Sequence, residues 1–476
     1  MPRTDASRGR LVPYALVALL GLAGLGYSLA LGSGTRFPDE RDYLALATSL
    51  AHAGTYAYDG ESPNAMRPPG YPVLLAPIAA TARALAPGDP VPAPAGAEPV
   101  LDASLTLPIV PLASGAEAAL TVHLARTLQF LALGLSALAL ASLAGPGRGR
   151  SAAAGAAPDP ARSTPPVALG AAMVLALALY PVLIYTAGTL FPQTAILALA
   201  TAALWTLERA RPGVAGALGA GLLCGAAAEV SPTALALVPM ALLHAALSSR
   251  WRARHVLLVA LGAALLPGAW LARNQLVLDE TILFSRNLAY NLDNAVLELD
   301  PLEAAEERAP DDALGYGVER LEQLVGSPTA YLERLRRHFA WRNDMHVTDE
   351  SSRARDLVML ATYGALLGLV ALRLALARRA PLSLAERSVL LLYAMTAVFH
   401  ALVFVRIRYR LPFDFLLFLP AANAVLATVD AARSRRGGRA RSPAPPPAPA
   451  PDPPPVPPSP GAPTSERSRE PTTTLP

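Results

Sequence analysis

Long apolar runs with almost no charge constrain this chain more than any other feature. A run of about 18 or more such residues can cross the hydrocarbon core of a bilayer, and Leu11–Leu31 contains no charged residue at all. Because backbone polar groups cannot stay unpaired in lipid, only helices and closed barrels span membranes. The runs are rich in Leu and Ala and lack the alternation of barrel strands. The sequence therefore predicts an all-α, polytopic helical membrane protein.

The apolar runs predict about ten transmembrane helices. They are Leu11–Leu31, Ala118–Leu143, Pro166–Thr186, Thr189–Leu207, Gly213–Ala228, Pro232–Leu247, His255–Ala272, Leu357–Leu376, Ser388–Val405 and Leu411–Thr428. They form one membrane domain over residues 1–431, with two long outer loops at about 32–115 and 273–356. Loops of that length in a compact domain are usually functional or disordered. Val73–Leu85 is apolar but too short to span, so we expect it at the membrane interface or re-entering the membrane.

The arginines set the predicted orientation. Arg3, Arg8 and Arg10 precede the first span, and short cytoplasmic segments are enriched in basic residues. If every run crosses once, the other Arg-rich short connections fall on the same side, which places both termini in the cytoplasm. The first apolar run is longer than a signal-peptide core and lacks a strong small-residue cleavage site after it, so we expect a retained anchor.

Composition excludes some classes of function. All 40 basic residues are arginine, the net charge is only +4, and 16% of the chain is charged. Since the arginines lie mostly in short connections between spans, nucleic acid is not an expected partner. The single Cys224 excludes an intrachain disulfide. Arginine-only usage and the lack of Cys-rich outer loops favour a bacterial inner membrane over a eukaryotic endomembrane.

The C-terminal segment 432–476 is predicted to be a disordered cytoplasmic tail. Residues 441–476 contain 15 of the 47 prolines. Such a composition cannot bury enough apolar surface to fold.

The first outer loop contains the most informative local pattern. Pro38, Asp39 and Glu40 make a good helix start, and Tyr43, Leu46, Ala47 and Leu50 follow at helical spacing. The helix dipole favours a negative charge in the first turn, which would keep Asp39 ionised as a general base must be. Acidic residues in a first turn also commonly do no more than stabilise the helix, and local sequence favours that reading.

Several short motifs follow one another along the chain in a fixed order. The acidic pair is followed by Arg67-Pro68-Pro69-Gly70-Tyr71-Pro72, Ala125-Arg126, Tyr180-Pro181, Ser231-Pro232-Thr233, Trp270-Leu271-Ala272-Arg273-Asn274 and Arg408-Tyr409-Arg410-Leu411-Pro412. This order, over roughly residues 11–429, resembles the GT-C superfamily of membrane glycosyltransferases. The most similar group is family 39, with the protein O-mannosyltransferases and the lipid A aminoarabinose transferase. Phe191-Pro192-Gln193 stands where relatives often have Ser-Glu, and Glu229-Val230 where Leu-Thr is usual.

The resemblance implies a function. Such enzymes move a sugar, with inversion, from a polyprenyl-phosphate carrier to a glycan, lipid or protein acceptor on the outer face. Carried over to this sequence, Asp39 would be the catalytic base, and Glu40 would position the acceptor or share its proton. The donor phosphate would be bound by arginines: Arg67, Arg126, Arg408 and Arg410. Arg273 and Asn274 would shape the large outer loop or contact the sugar. For the cluster Arg406, Arg408 and Arg410, snorkelling to lipid headgroups is an equal alternative, although the match to the motif favours phosphate binding for Arg408 and Arg410. Relatives in this family generally need no metal, and the histidines show no metal-ligand spacing, so we predict no metal and no cofactor.

Three other readings stay open. A transporter or lipid flippase is the main alternative, although the chain shows no internal repeat of the kind common in transporters. An inactive lipid-binding relative is the second, and an enzyme of the same fold acting on another acceptor class is the third.

Overall fold

The computed structural model describes residues 4–88, 113–144, 166–287, 322, 326–341, 353–403 and 405–440. These residues form helices and connecting loops, and no strand of a sheet occurs among them. The all-α prediction is confirmed for this part of the chain. The helices are α1 Thr4–Leu31, α2 Pro38–Ala53, α3 Gly70–Leu85, α4 Gly115–Leu143, α5 Pro166–Ala178, α6 Pro181–Ala187, α7 Gln193–Arg209, α8 Val214–Val230, α9 Leu237–Leu247, α10 Ala253–Leu278, α11 Pro328–His338, α12 Arg353–Ala375, α13 Leu384–Val403, α14 Ile407–Leu416 and α15 Phe418–Ala440.

Five stretches of helix are long and apolar enough to cross a membrane, as judged by length and composition over the described residues. They are Leu11–Leu31, Gly115–Leu143, Ala253–Leu278, Arg353–Arg378 and Ile407–Arg433. A sixth span is possible if α5 and α6 act together, although they meet at a bend of 79°. Pro181 causes this break, because proline has no N–H to donate and begins the new helix. The chain is a multi-pass helical membrane protein.

The prediction of about ten spans is not confirmed. Each predicted run coincides with helix, but α8 with 17 residues and the stretch Pro232–Leu247 are shorter than a full span. Helix α10 continues to Leu278, past the predicted end at Ala272, so Arg273 and Asn274 lie in helix rather than in a loop. Residues 87–111, a stretch rich in proline and alanine, lie almost wholly outside the described residues. The tail 441–476 lies wholly outside them. Helix α15 extends to Ala440, beyond the predicted domain boundary at 431.

Small residues let α8 and α10 approach closely. A Cβ atom at Gly221 would collide with the carbonyl oxygen of Val259, and one at Gly225 would lie 2.5 Å from the carbonyl oxygen of Ala263. Small residues four apart on one face are a common means of packing helices in lipid, where the hydrophobic effect does not drive helix association. Cys224 is buried on α8 as a small core residue.

Residues 32–88 of the predicted first outer loop contain two helices, α2 and α3, which pack against each other. Helix α2 ends at Gly54, whose φ of 70° is the left-handed conformation that glycine adopts without strain. The rings of Tyr43 on α2 and Tyr71 on α3 meet edge to face, with centroids 5.0 Å apart. A small second core joins the following loop to the end of α10 through Leu46, Tyr56, Tyr58, Ala65, Trp270 and Ile282. This packing fixes the first turn of α2 above the bundle.

Candidate active site

Helix α2 begins as the sequence predicts, and Glu40 holds that beginning in place. The Glu40 side chain is fully buried. Its Oε2 accepts hydrogen bonds from the backbone N–H of Arg36 at 2.6 Å and of Phe37 at 3.1 Å, and its Oε1 accepts one from the N–H of Leu190 at 2.7 Å. Both carboxylate oxygens are therefore bonded to backbone amides. This arrangement favours a structural role for Glu40, capping α2 and tying it to the connection between α6 and α7.

Asp39 is placed differently from its neighbour. Its Oδ1 accepts a hydrogen bond from Nη2 of Arg67 at 2.8 Å, and its Oδ2 accepts one from Nη1 of Arg408 at 3.1 Å. The side chain keeps 21% of its exposure. Three segments far apart in sequence thus bring one accessible carboxylate between two guanidinium groups.

Arg67 is buried beneath Asp39. Its Nε and Nη2 also donate to Oδ2 of Asp42, at 2.9 and 2.6 Å. The Tyr56 hydroxyl donates to the carbonyl oxygens of Arg67 and Pro68, at 2.9 and 3.2 Å, and so fixes the backbone at this point. Burial acts to lower the pKa of Arg67, but Tyr43, Asp39 and Asp42 outweigh burial and hold that pKa above its ordinary value. The group is a permanent cation.

Arg408 forms the more open side of the site. Its side chain keeps 36% of its exposure. The guanidinium lies 5.3 Å from the ring centre of Phe191 and 5.1 Å from that of Tyr409, and its Nη2 donates to the Tyr409 hydroxyl at 3.2 Å. The Nε atom is buried and has no hydrogen-bond partner among the described residues. The two terminal nitrogens of a guanidinium carry four N–H donors, and the contacts to Asp39 and Tyr409 use two of them. Arg408 therefore retains terminal N–H donors for an anion.

Arg126 lies away from this group. It is buried, and its two terminal nitrogens donate to the carbonyl oxygens of Gly32 at 2.6 Å and Gly34 at 3.2 Å. These carbonyls follow the end of α1, where helix C=O groups lack partners within the helix. The contacts favour a capping role over phosphate binding.

Arg273 and Asn274 also bind backbone. Arg273 donates to the Asn64 carbonyl at 3.0 Å and stacks 4.9 Å from the ring centre of Trp270. Asn274 is fully buried and donates to the Ile282 carbonyl at 2.8 Å. Both residues therefore connect neighbouring loops to the end of α10.

Arg410 is turned away from Asp39. It is almost fully buried, donates through Nε to Asp414 at 3.0 Å, and donates through Nη1 to the carbonyl oxygens of His338 and Ala340 at the end of α11. Arg410 therefore anchors α11 to the bundle.

The structure thus brings Asp39, Arg67 and Arg408 together and places the other five predicted residues in supporting positions. Sequence reasoning did not include Asp42 or Tyr409. The sequence did contain a signal for Asp42: it lies three residues after Asp39, and residues three apart share a helix face. Among the described residues no three His, Cys, Asp or Glu side chains form a group able to hold a metal ion. The prediction of no metal stays a prediction.

Comparison with known proteins adds little to this geometry. No protein-family model and no curated protein matches the chain. A solved structure that matches is the crystal structure of ArnT from Cupriavidus metallidurans bound to undecaprenyl phosphate, over 88% of this chain and 79% of that chain, at 15% sequence identity and a TM-score of 0.35. A TM-score this low establishes neither a shared fold nor a shared ligand.

Proposed function

We propose that this chain is a membrane glycosyltransferase that moves a sugar from a polyprenyl-phosphate carrier to an acceptor hydroxyl on the outer face of a bacterial inner membrane. The observation that carries the proposal is the accessible carboxylate of Asp39 between Arg67 and Arg408. The order of the sequence motifs supports it. The acceptor is a glycan, a lipid or a protein.

The chemistry of the transfer needs a base and a cation. The acceptor oxygen forms a bond to the anomeric carbon while the bond from that carbon to the phosphate oxygen breaks with its electron pair, so the anomeric centre inverts. The acceptor proton passes to a base, and the departing phosphate gains negative charge. In this proposal Asp39 takes the proton and Arg408 stabilises the phosphate, because its exposed fork suits two phosphate oxygens at once.

The shared contact couples these two roles. Arg408 donates to Asp39 at 3.1 Å, so a phosphate that engages Arg408 competes with Asp39 for the same cation. Asp39 then keeps Arg67 as its partner at Oδ1, and its Oδ2 is released to take the acceptor proton. Donor binding would in this way prepare the base.

The test is transfer of radiolabelled sugar from polyprenyl-phosphate donors, using membranes that contain the wild-type chain, Asp39→Asn or Glu61→Gln. Glu61 is an exposed carboxylate in the same loop and serves as the matched control. We expect wild type and Glu61→Gln to transfer equally, and Asp39→Asn to lose about a thousandfold, since general base catalysis commonly contributes a factor of about 10² to 10⁴. Insertion of each variant is checked by gel filtration in detergent.

Two results would contradict the proposal. Equal transfer by wild type and Asp39→Asn would reduce Asp39 to a helix-start residue. Absence of transfer from every donor, with movement of a labelled polyprenyl phosphate across proteoliposomes, would favour the flippase reading instead.

A further inference from the structure

Asp42 is a buried carboxylate one helical turn after Asp39, and the proposed chemistry does not use it directly. Its side chain is 2% exposed. It accepts both the Nε and the Nη2 hydrogens of Arg67, whereas Asp39 accepts only from Nη2. The Nη2 group is therefore shared between the two carboxylates, and Asp42 makes the shorter contact, 2.6 Å against 2.8 Å.

We propose that Asp42 is a positioning residue that fixes the Arg67 guanidinium beneath Asp39 and so sets how much of that cation's charge acts on Asp39. This inference rests on the proposed function, in which Asp39 is the base. Asp42 itself is enclosed, so it does not touch the acceptor, and in this proposal it acts through Arg67.

The charges explain why two carboxylates share one cation here. If Arg67 faced Asp39 alone, the full charge of the cation would act on the carboxylate that has to take the acceptor proton. Asp42 takes two of the hydrogen bonds and supplies a second negative charge, which offsets much of the cation. The planar fork is suited to this, because it can direct adjacent N–H groups to two different acceptors, whereas a lysine ammonium is a single point charge.

The surroundings keep Arg67 in this orientation. The Tyr56 hydroxyl bonds to the carbonyl oxygens of Arg67 and Pro68, and the guanidinium lies 5.9 Å from the ring centre of Tyr43. The backbone at Gly70 approaches α8 so closely that a Cβ there would lie 2.5 Å from the carbonyl carbon of Glu229. The segment that holds Arg67 therefore has little freedom to shift, and the side-chain pair with Asp42 decides where the charge lies.

The first arm of the test measures the placement of Arg67 without using activity. Purified wild type, Asp42→Asn and Asp42→Glu are treated with phenylglyoxal, and modification of Arg67 is followed by mass spectrometry of its peptide, with the exposed Arg41 as an internal reference. We expect Arg67 to react at least ten times faster in Asp42→Asn than in wild type and to regain protection in Asp42→Glu. Equal protection of Arg67 in wild type and Asp42→Asn would overturn the inference.

The second arm measures sugar transfer as a function of pH. In Asp42→Asn the acid limb of the profile should move to lower pH and kcat should fall about tenfold, because an unshared Arg67 weakens the base. The KM for the donor should change less than twofold, since Arg408 is untouched. Asp42→Glu restores the charge and should return the acid limb to its wild-type position. A loss of rate with an unmoved acid limb in both variants would show a merely structural role and overturn the inference.

Failure of the proposed function gives a different result. If wild type transfers no sugar from any donor, the glycosyltransferase proposal fails. The phenylglyoxal rates still decide whether Asp42 fixes Arg67.

Discussion

Arginine side chains have different partners at the two ends of the bundle. At the end that holds Arg250, they bond to backbone carbonyls and to an enclosed carboxylate. At the Asp39 end, two arginines converge on a carboxylate that solvent still reaches. Arg250 donates to the carbonyl oxygens of Glu208 and Ala210, and Arg209 to that of Ser142, which satisfies C=O groups at the ends of α7 and α4. Helix α10 connects the two ends, with Arg252 at its beginning and Arg273 near its end.

One ion pair from each end shows the same difference. Arg373 and Glu386 meet at 2.6 Å with side chains 5% and 2% exposed, and Arg373 also donates to the Ala380 carbonyl. The contact of Asp39 with Arg408 is longer, at 3.1 Å, and its two side chains are 21% and 36% exposed. A fully enclosed and fully bonded pair has no capacity left for a ligand, while the exposed pair can exchange partners. Exposure together with unused donors, more than the presence of arginine, distinguishes a reactive site from a structural one.

Breaking the enclosed pair should have the largest effect on folding. Glu386→Gln leaves Arg373 buried without its countercharge, and removal of one partner from a buried ion pair typically costs about 3–5 kcal/mol. We expect most of that variant to be lost from detergent extracts in thermal-shift and gel-filtration measurements, while the folded remainder transfers sugar at the wild-type rate per molecule. Replacing both partners, as Arg373→Met with Glu386→Leu, should recover much of the loss. A folded Glu386→Gln protein with impaired transfer would contradict the division between the two ends.

Weakening the exposed pair should leave folding intact and reduce catalysis. Arg408→Gln removes a charge-assisted contact to the donor phosphate, which contributes about 1.5–3 kcal/mol. At about 1.4 kcal/mol per factor of ten, kcat/KM for the donor should fall about ten- to hundredfold. Arg41→Gln, an exposed arginine on α2, is the matched control and should change neither rate nor stability. A lower melting temperature in Arg408→Gln with unchanged kcat/KM would place Arg408 among the structural arginines.

The sequence predicted the helical class and the beginning of α2 because both depend on local properties. Apolar run length predicts helices that cross lipid, and Pro38 with two acidic residues predicts a helix start. The number of full spans was predicted less well, since a run such as Gly213–Ala228 is apolar enough for a bundle interior without being long enough to cross.

The roles of individual arginines could not be read in the same way. Arg408 and Arg410 belong to one motif. On a helix such as α14, however, side chains two residues apart point about 200° away from each other around the axis. One therefore faces Asp39 and the other binds Asp414. Neighbouring Asp39 and Glu40 diverge for the same reason. Which face meets the site is decided by tertiary packing, and Asp42, one turn along from Asp39, shares its partner Arg67.

The prediction with the smallest expected effect uses pH to test how α11 is held beside the site. His338 is 2% exposed and packs against His400 and Tyr393 of α13, with ring centres 5.2 and 5.7 Å away, while Arg410 of α14 bonds to its carbonyl oxygen. Burial, with the neighbouring His400 and Arg410, lowers the pKa of His338 from 6.5 to about 2. Above about pH 6.5 the ring is neutral whether α11 is docked or released, so pH has no effect through this group. Below that value only the released form takes up a proton, and docking weakens as pH falls.

The expected size follows from linkage. Each pH unit below 6.5 costs the docked form about 1.4 kcal/mol, so at pH 5 the loss is about 2 kcal/mol. Hydrogen exchange of the amides of Pro328–His338 should therefore show protection that falls roughly thirtyfold between pH 7 and pH 5, after correction for the intrinsic exchange rate. In His338→Phe, which keeps an aromatic ring without a titrating nitrogen, the protection should not change with pH. Equal pH dependence in the variant would show that His338 does not control the docking of α11.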